Sequence, residues 1–453
     1  MSNRPGVIWL LWLVVFIDIP ASAQGWKAGT ARVIITPKEP LWQAGYASRT
    51  HAADGKLHDL WAKALALEDS TGKRAVLVTT DMLGFPKAMS DRIRARLNSQ
   101  FGLSKAQVIL NSSHTHSGPV LDNALQDIYP LDTKEQEKID RYSRWLETQI
   151  VTLASQALQK LAPATLFSQN GVTRFQVNRR ANKENALPEQ TELKGPNDYA
   201  VPVIRIIDAR GKLKAIVFGY ACHPTVLDLY QWSGDYAGFA QLELEKAHPG
   251  ATALFFQGAA GDQNPLPRRT IPLARQYGRE LAAAVDRVLD EPMRNLSPQL
   301  RTAYSEIELP LSAPPSEAEL IKTSQDGEGY MKRWATRLLA ETKQGKPFIT
   351  SYLYPLQIWQ LGSQPILSFG GELVVQYALD CKKRFGQGIF VMGYANDVMG
   401  YIPSVTILRE GGYEGASSQM VYGLPSIWAA EVPTLIDREI NRLAEQIGLT
   451  TLK

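Results

Sequence analysis

The 453-residue chain lacks the features that mark several large classes of proteins. Only two cysteines occur, Cys222 and Cys381, and so few exclude a disulfide-stabilised scaffold in a chain of this length. A single bridge between them stays open, but we favour the interpretation that both are small buried residues. The formal net charge is only +4, and the chain contains no run of five Lys or Arg residues. The charge therefore gives no indication of a nucleic-acid partner.

The sequence also lacks the short motifs of phosphate-binding sites and of serine hydrolases. It contains no Gly-Lys-Ser/Thr loop, and no G-x-G-x-x-G segment opens a helix. A G-x-S-x-G nucleophile elbow is absent as well. The glycine-rich segment 258–261 therefore predicts only a place where the backbone passes close to a ligand.

A long apolar run occurs only at the N-terminus. Residues Val7 to Ile19 are almost wholly apolar, follow a positively charged start and precede Ala21-Ser22-Ala23. This order predicts a secretory signal peptide over residues 1–23, because small residues mark the cleavage site. A membrane anchor is the alternative, although the run is short for a spanning helix. We therefore expect an exported protein, periplasmic or secreted, with a single domain over residues 24–453.

Short apolar runs alternate with helical patterns along most of the remaining chain. The predicted strands are 74–79, 107–110, 213–220, 253–256, 356–360, 365–369 and 388–392. The predicted helices are 87–99, 134–161, 236–246, 272–289 and 373–384. This alternation predicts an α/β fold with a mixed sheet as its core and helices covering it. Residues 179–199 and 310–346 interrupt the order, and we expect a loop in the first and a cap over the core in the second.

Side chains of the kinds that enzymes use follow five of the predicted strands. In α/β sheets, ligands bind beyond the carboxyl ends of the strands. The residues at these ends are His114 and His116, His223, Asp262, Glu372 and, after the last strand, Asn396, Asp397 and Tyr401. We therefore predict that the active site lies at this edge of the sheet.

Histidine is scarce, with six residues in the chain, and three of the six follow predicted strands. Neutral imidazole is the commonest metal ligand, and a hydrolytic zinc site has about three protein ligands and one position for water. His114, His223 and Glu372 satisfy that count. His116 would point the same way as His114 in an extended segment, so either imidazole or both could approach the metal.

Several short motifs follow one another in an order that a known family also shows. They are His-Thr-His-Ser-Gly-Pro at 114–119, Asn-Arg at 178–179, Ala-Cys-His-Pro-Thr at 221–225, Ser-Gly-Asp at 233–235, Gly-Asp at 261–262, Gly-Glu at 371–372, Gly-Tyr-Ile at 400–402 and Tyr-Glu-Gly-Ala-Ser at 413–417. This ordered set resembles the neutral/alkaline non-lysosomal ceramidases, over about residues 26–440.

The resemblance implies an enzyme that hydrolyses the amide bond of ceramide to a fatty acid and sphingosine. It implies one zinc ion per chain, bound by His114, His223, Glu372 and Tyr401. It places further side chains at the active site, namely His116, Arg179, Tyr413 and Asp262. We therefore expect zinc-activated water to attack the amide of ceramide or a related N-acyl lipid, and a transient contact with a membrane surface.

The chemistry that the resemblance implies assigns distinct roles to three of these side chains. The tetrahedral oxyanion needs donors where its charge develops, and Arg179 and Tyr413 would supply them. An amine leaves poorly unless it is protonated, and His116 would deliver that proton.

The sequence departs from the family pattern in two places. Family members carry a serine shortly after the Gly-Asp step, whereas Asn264 stands there, and its amide could orient water or substrate but cannot act as a nucleophile. The chain also stops about where the family's C-terminal immunoglobulin-like domain would begin, so we expect no such domain. These departures keep two alternatives open: hydrolysis of a smaller exported amide or ester, and a non-catalytic binding homologue.

Overall fold

The computed structural model describes residues 25–452, and the predicted signal peptide lies outside this range. The strands are β1 Trp26–Ile34, β2 Gly55–Lys56, β3 Trp61–Glu68, β4 Arg74–Thr80, β5 Val108–Ser112, β6 Ala162–Val172, β7 Gln176–Asn178, β8 Ala200–Asp208, β9 Leu213–Tyr220, β10 Gln231–Trp232, β11 Thr252–Gln257, β12 Gln263–Pro265, β13 Arg294–Leu296, β14 Leu300–Pro310, β15 Ser351–Leu361, β16 Gln364–Phe369, β17 Glu372–Leu373, β18 Phe390–Met392 and β19 Tyr401–Ile402.

The helices are α1 Lys87–Phe101, α2 Thr133–Gln159, α3 Asp235–Ala247, α4 Ile271–Asp290, α5 Glu317–Asp326, α6 Gly329–Lys343, α7 Val375–Phe385, α8 Val405–Glu410, α9 Ser418–Val421 and α10 Val432–Gln446. Two short 3₁₀ helices span Lys105–Gln107 and Glu184–Glu189, and a π-helical turn spans Tyr413–Ser417.

Two sheets stack face to face, and helices cover their outer sides. The larger sheet has nine strands in the order β11-β9-β8-β6-β1-β3-β4-β5, with β13 also paired to β6. The smaller has the order β14-β15-β16-β18. Helices α1 to α4 pack on the outer face of the large sheet, and α7 and α10 pack on that of the small sheet. Apolar side chains from both sheets form the layer between them.

Strand β3 shows why the large sheet is buried on both faces. Its Ala62, Ala64 and Ala66 belong to the core beneath the helices, whereas Leu65 and Leu67 point to the layer between the sheets. Successive side chains of a strand point to opposite faces, so a strand covered on both sides is apolar throughout. The predicted α/β fold with a mixed sheet core is therefore confirmed.

The strands that deliver polar residues are the parallel ones. Strand β5 runs parallel to β4, β11 runs parallel to β9, and β18 runs parallel to β16, and the carboxyl ends of β5, β11 and β18 meet at Asn111. Asn111 joins the two sheets there: its Nδ2 donates to the carbonyl of Gly393 at 2.8 Å, and its Oδ1 accepts from the amide of Gln257 at 2.9 Å. The loops that carry the candidate site residues are thereby held against one another.

Both cysteines are buried and unpaired, as the sequence indicated. Cys222 belongs to the core beneath α3 and α4, and Cys381 belongs to the core beneath α7 and α10. Within residues 25–452, no helix combines the length and the apolar content that crossing a membrane requires.

Candidate metal centre

Two imidazoles and a carboxylate meet although they belong to segments that lie far apart in the sequence, each just beyond the carboxyl end of a strand. His114 follows β5, His223 follows β9, and Glu372 follows β16. Oε2 of Glu372 lies 3.2 Å from Nε2 of His114 and 3.0 Å from Nε2 of His223. All three side chains are buried. The structure therefore brings together the three side chains that sequence reasoning chose as metal ligands.

The backbone fixes which nitrogen of each imidazole faces the centre. Nδ1 of His114 lies 2.6 Å from the carbonyl oxygen of Leu83, and Nδ1 of His223 lies 2.6 Å from that of Ala260. A carbonyl oxygen can only accept, so each Nδ1 carries the proton and each Nε2 presents a lone pair. Metal-ligating histidines commonly have this arrangement, in which a backbone carbonyl orients the ring.

The atoms that face the centre are of the kinds that bind zinc in proteins. Burial, followed by the positive charge of Arg179, lowers the pKa of His223 to about 4, so this imidazole is neutral at pH 7. Burial alone would raise the pKa of Glu372, but the neighbouring His114 and His223 bring it well below its usual value. Two imidazole Nε2 atoms and a carboxylate oxygen at about 3 Å form a set of donors that suits zinc.

His116 and Tyr401 complete the ring of candidate ligands. Nε2 of His116 lies 3.3 Å from Nε2 of His114, and Oη of Tyr401 lies 3.4 Å from Nε2 of His223. The ligand atoms of the three histidines lie within 4.8 Å of one another. Nδ1 of His116 is buried and has no hydrogen-bond partner among residues 25–452. The geometry accommodates either His116 or Tyr401 beside the other three groups.

The His114 backbone is held in an uncommon conformation. Its φ is 65°, in the left-handed region that non-glycine residues rarely occupy. The amide of His114 donates to the carbonyl of Met82 at 2.9 Å, which is one of the contacts that hold the turn. Such strain persists where the surrounding structure enforces it, and it is concentrated at functional sites. Here it turns the side chain towards Glu372.

Arg179 lies beside the centre and joins three other side chains. Its guanidinium donates to Glu414 Oε1 at 2.7 Å, to Tyr401 Oη at 3.0 Å and to Asn264 Oδ1 at 3.3 Å. It also lies 5.8 Å from the ring centre of Tyr413, a half-exposed residue. Burial would lower the pKa of Arg179, but Tyr401 and Glu414 raise it well above its usual value. The guanidinium thus keeps its charge next to the predicted metal.

Asp262 is buried, and its side chain contacts the scaffold. Its Oδ1 accepts from the amide of Val375 at 2.9 Å, at the start of α7, and its Oδ2 accepts from Nδ2 of Asn178 at 3.0 Å. The carbonyl of Asp262 accepts from the amide of Arg179 at 2.9 Å. The structure therefore shows Asp262 bracing the Arg179 and Glu372 segments, and a direct part in catalysis stays a prediction.

Two tyrosines that sequence reasoning missed also contact the centre. Oη of Tyr422 donates to Glu372 Oε1 at 2.5 Å, which orients the carboxylate. The ring centre of Tyr394 lies 4.4 Å from that of His114, and its buried hydroxyl has no partner among residues 25–452. Tyr394 follows β18, so its place at a strand end was a usable signal. Nothing in the sequence around Tyr422 distinguishes it.

The sequence predicted that the backbone of segment 258–261 passes close to a ligand. At Gly261 it passes close to the backbone of Glu372 instead. A Cβ atom there would lie 2.6 Å from the carbonyl oxygen of Glu372. We expect Gly261→Ala to displace Glu372 and to weaken zinc affinity about 10- to 100-fold, as loss of an orienting contact typically does. Competition with a chromogenic chelator measures this. Gly388→Ala, where a Cβ meets nothing within 4 Å, is the control and should bind zinc normally.

A small cavity of about 120 Å³ opens onto the centre. His114, His116, Glu372 and Tyr401 form its floor, and apolar walls come from Leu83, Leu125, Ile128 and Val421. Tyr330 of α6 also lines it. Helices α5 and α6 occupy the stretch predicted to be a cap, and Arg337 of α6 ties them to Asp127 with contacts of 2.7 to 3.0 Å. Of these two helices, α6 contributes to the cavity wall through Tyr330.

The fold and the site together define an α/β sandwich protein with a buried histidine–carboxylate cluster suited to a metal ion. A family model, Neutral/alkaline non-lysosomal ceramidase, N-terminal, matches residues 29–267, more than half of the chain. The chain therefore belongs to the neutral/alkaline non-lysosomal ceramidase family. The matched range contains His114, His116, Arg179 and His223, whereas Glu372, Tyr401 and Tyr413 lie beyond it.

Individual relatives agree with the family assignment. Neutral ceramidase B of Dictyostelium discoideum is 29% identical over 242 residues, which are 49% of this chain and 33% of that protein. Neutral ceramidase A of the same organism is 28% identical over 266 residues, 54% of this chain and 36% of that protein. The aligned region thus spans only about a third of these relatives.

The fold is similar to that of a solved enzyme. The crystal structure of neutral ceramidase from Pseudomonas aeruginosa superposes with a TM-score of 0.73 at 18% identity, over 95% of this chain and 76% of that chain. At this identity, the similarity establishes the fold alone.

Proposed function

We propose that this protein is a zinc-dependent amide hydrolase that cleaves N-acyl bonds by means of zinc-activated water. The observation that carries the proposal is the convergence of His114 Nε2 and His223 Nε2 on Glu372 Oε2, at 3.2 and 3.0 Å. We assign the ligands as His114, His223, Glu372 and Tyr401, with one zinc ion per chain. A bound zinc ion would lower the pKa of water to about 7 and polarise the amide carbonyl.

The residues around the ligands supply the remaining parts of the reaction. Arg179 keeps its positive charge and, with the hydroxyl of Tyr413, donates hydrogen bonds to the oxyanion as its charge develops. The partly buried His116 takes a proton from the attacking water and carries it to the departing amine, and desolvation together with His114 and His223 brings its pKa well below the usual value. A histidine with a low pKa gives up its proton readily. Asn264, held by Arg179, orients the substrate or water.

The names of the relatives make ceramide the first substrate to test. They are neutral ceramidases, and the reaction of an N-acyl sphingoid base fits a site built to cleave an amide. Because the chain covers only about a third of these relatives, ceramide hydrolysis is a proposal for this protein. A smaller amide is the second candidate, and the cavity of about 120 Å³ favours it. Export by way of residues 1–23 and a transient contact with a membrane surface complete the proposal.

Metal removal tests the proposed reaction. We expect purified protein to hold about one zinc ion per chain, and chelation to lower amide hydrolysis at least 100-fold, because the ion supplies several kcal/mol of transition-state stabilisation. Zinc added back should restore both the activity and the thermal midpoint, since a ligand bound only by the folded state stabilises it. Magnesium is the control and should restore neither. A protein without bound metal, whose stability zinc leaves unchanged, would be the non-catalytic homologue instead.

A further inference from the structure

Helix α6 holds the short segment that follows Tyr422. Nη2 of Arg337 donates to the carbonyl of Gly423 at 2.8 Å, and Nε1 of Trp334 donates to the carbonyl of Leu424 at 2.9 Å. Trp334 is buried, and the side chain of Arg337 is 21% exposed. Gly423 has a φ of 77°, in the left-handed region that glycine adopts without strain. These contacts fix the course of the backbone directly after Tyr422.

Tyr422 connects that segment to the candidate metal centre. Its hydroxyl donates to Oε1 of Glu372 at 2.5 Å, whereas Oε2 of the same carboxylate lies 3.2 Å from Nε2 of His114 and 3.0 Å from Nε2 of His223. The tyrosine thus holds one oxygen while the other faces the two histidines. Hydrogen bonds of this kind orient a ligating carboxylate and raise its affinity for the metal. A displacement of Tyr422 would therefore let the carboxylate rotate away from the histidines.

Arg337 is itself held in place by acidic side chains. Its Nε lies 3.0 Å from both carboxylate oxygens of Asp127, and its Nη2 lies 2.7 Å from Oδ2 of that residue. Asp127 is buried, and Glu341, one turn further along α6, lies 3.2 Å from Nη1 of Arg337. A guanidinium is planar and presents its donors in a fixed fork. The carbonyl of Gly423 therefore meets a donor whose position is set by two other contacts.

These contacts form a series from α6 to a predicted metal ligand, and the inference rests on the proposed zinc site. We propose that Arg337 is a positioning residue for the metal centre, which keeps Tyr422 against Glu372 by holding the carbonyl of Gly423. The groups to which Arg337 donates are not metal ligands, so its effect on the metal passes through Tyr422. Helix α6 thus sets the metal affinity in addition to lining the cavity.

A double-mutant cycle on zinc affinity tests the proposal. Competition with a chromogenic chelator gives the dissociation constant of zinc for the wild-type protein, Arg337→Gln, Tyr422→Phe and the double variant. We expect Tyr422→Phe to weaken binding about tenfold and Arg337→Gln to weaken it about three- to tenfold, because an orienting contact of Glu372 is lost in both. The double variant should bind zinc about as tightly as Tyr422→Phe, because the contact through which Arg337 acts is then already absent.

Arg333→Gln is the matched control on the same helix. Arg333 donates to the carbonyls of Asp127 and Ile128 at 2.8 and 2.5 Å, rather than to the segment after Tyr422. Its loss should loosen the attachment of α6 and change zinc affinity by less than about twofold, as expected for a site that is not coupled to the metal centre. Circular dichroism of the metal-free proteins verifies that each variant folds.

A second pair of variants alters the same contact from the other side and keeps the charge of Arg337. In Gly423→Ala, the new Cβ would lie 3.2 Å from Nη2 of Arg337, so the two groups must move apart. Gly345 has a φ of 73° and open space around its Cβ position, so Gly345→Ala introduces similar backbone strain without the crowding. We expect Gly423→Ala to weaken zinc binding at least about threefold and Gly345→Ala to leave it unchanged. This pair decides the question if Arg337→Gln does not fold.

The outcomes separate this inference from the proposed function. Wild-type protein that binds no zinc overturns the proposed metal centre and this inference with it. Unchanged zinc affinity in folded Arg337→Gln, or in Gly423→Ala, overturns the inference and leaves the metal centre standing. An effect of Arg337→Gln that is as large in the Tyr422→Phe background as in the wild type shows that it does not pass through Tyr422, and overturns the inference as well. So does an equal loss of affinity in Arg333→Gln, which would indicate a general loosening of α6.

Discussion

Replacing His223 by alanine is expected to reduce bound zinc from about one ion per chain to below about 0.1 and to lower kcat/KM at least 1000-fold. The imidazole is fully buried, its Nδ1 is fixed by the carbonyl of Ala260, and its Nε2 lies 3.0 Å from Glu372. A loss of this size corresponds to about 4 kcal/mol of transition-state stabilisation, which is within what a catalytic metal supplies.

The control for this variant is another histidine outside the centre. His248 ends helix α3 and pairs with Asp286 at 2.7 Å, so His248→Ala should retain full zinc content and activity. Metal analysis and steady-state kinetics measure both variants, and circular dichroism of the metal-free proteins verifies that they fold. Normal zinc content and turnover in His223→Ala would show that the ion, if bound, is held elsewhere.

Replacing Arg179 by alanine is expected to lower kcat about 100- to 1000-fold while most of the bound zinc is retained. Removal of one preorganised donor to an oxyanion has this effect in other enzymes. The guanidinium holds Glu414, Tyr401 and Asn264 at once, through three different nitrogen atoms. Lysine has a single ammonium group and cannot reproduce this fork, so Arg179→Lys should recover less than a tenth of the lost rate.

The fall should appear in kcat with KM nearly unchanged, because the donor acts on charge that develops only in the transition state. Arg384→Ala removes a comparable ion pair, with Asp437 at the protein surface, and should leave both constants intact. Glu414 keeps its contact with Arg180, which limits the loss of stability in the Arg179 variants. A change confined to KM would assign Arg179 to substrate binding alone.

The sequence predicted the parallel strands well and the antiparallel ones poorly. The predicted strand 213–220 coincides with β9, and the predicted helix 272–289 differs from α4 by one residue at each end. Among the longer strands, β1, β3, β6, β8 and β14 were missed. Strand β6 contains Pro163 and Gly171 and alternates between buried and partly exposed residues, so its apolar content is too low for a continuous run. Its stability comes from pairing with β1, β8 and β13, which the local sequence does not show.

The sequence indicated which residues form the candidate site, but it did not indicate the contacts that orient their side chains. His114, His223 and Glu372 each follow a predicted strand, and that position, the scarcity of histidine and the ligand count of a zinc site marked them. The carbonyls of Leu83 and Ala260 lie 31 and 37 residues from the imidazoles they orient, and any residue can provide a carbonyl. Tyr422 lies 50 residues from Glu372, in a segment with no other marker. Contacts of this kind depend on the packing of loops, which the sequence pattern does not encode locally.

By itself, the sequence determined a mixed α/β core and the placement of histidine and carboxylate side chains directly after strands. Only the tertiary structure decided that these side chains meet, which atoms face one another, which residues surround Arg179, and that a small apolar cavity opens onto the centre. The physical reason is range: the periodicity of a strand is a local property, whereas a cavity is enclosed by side chains from segments hundreds of residues apart, such as Leu83 and Val421.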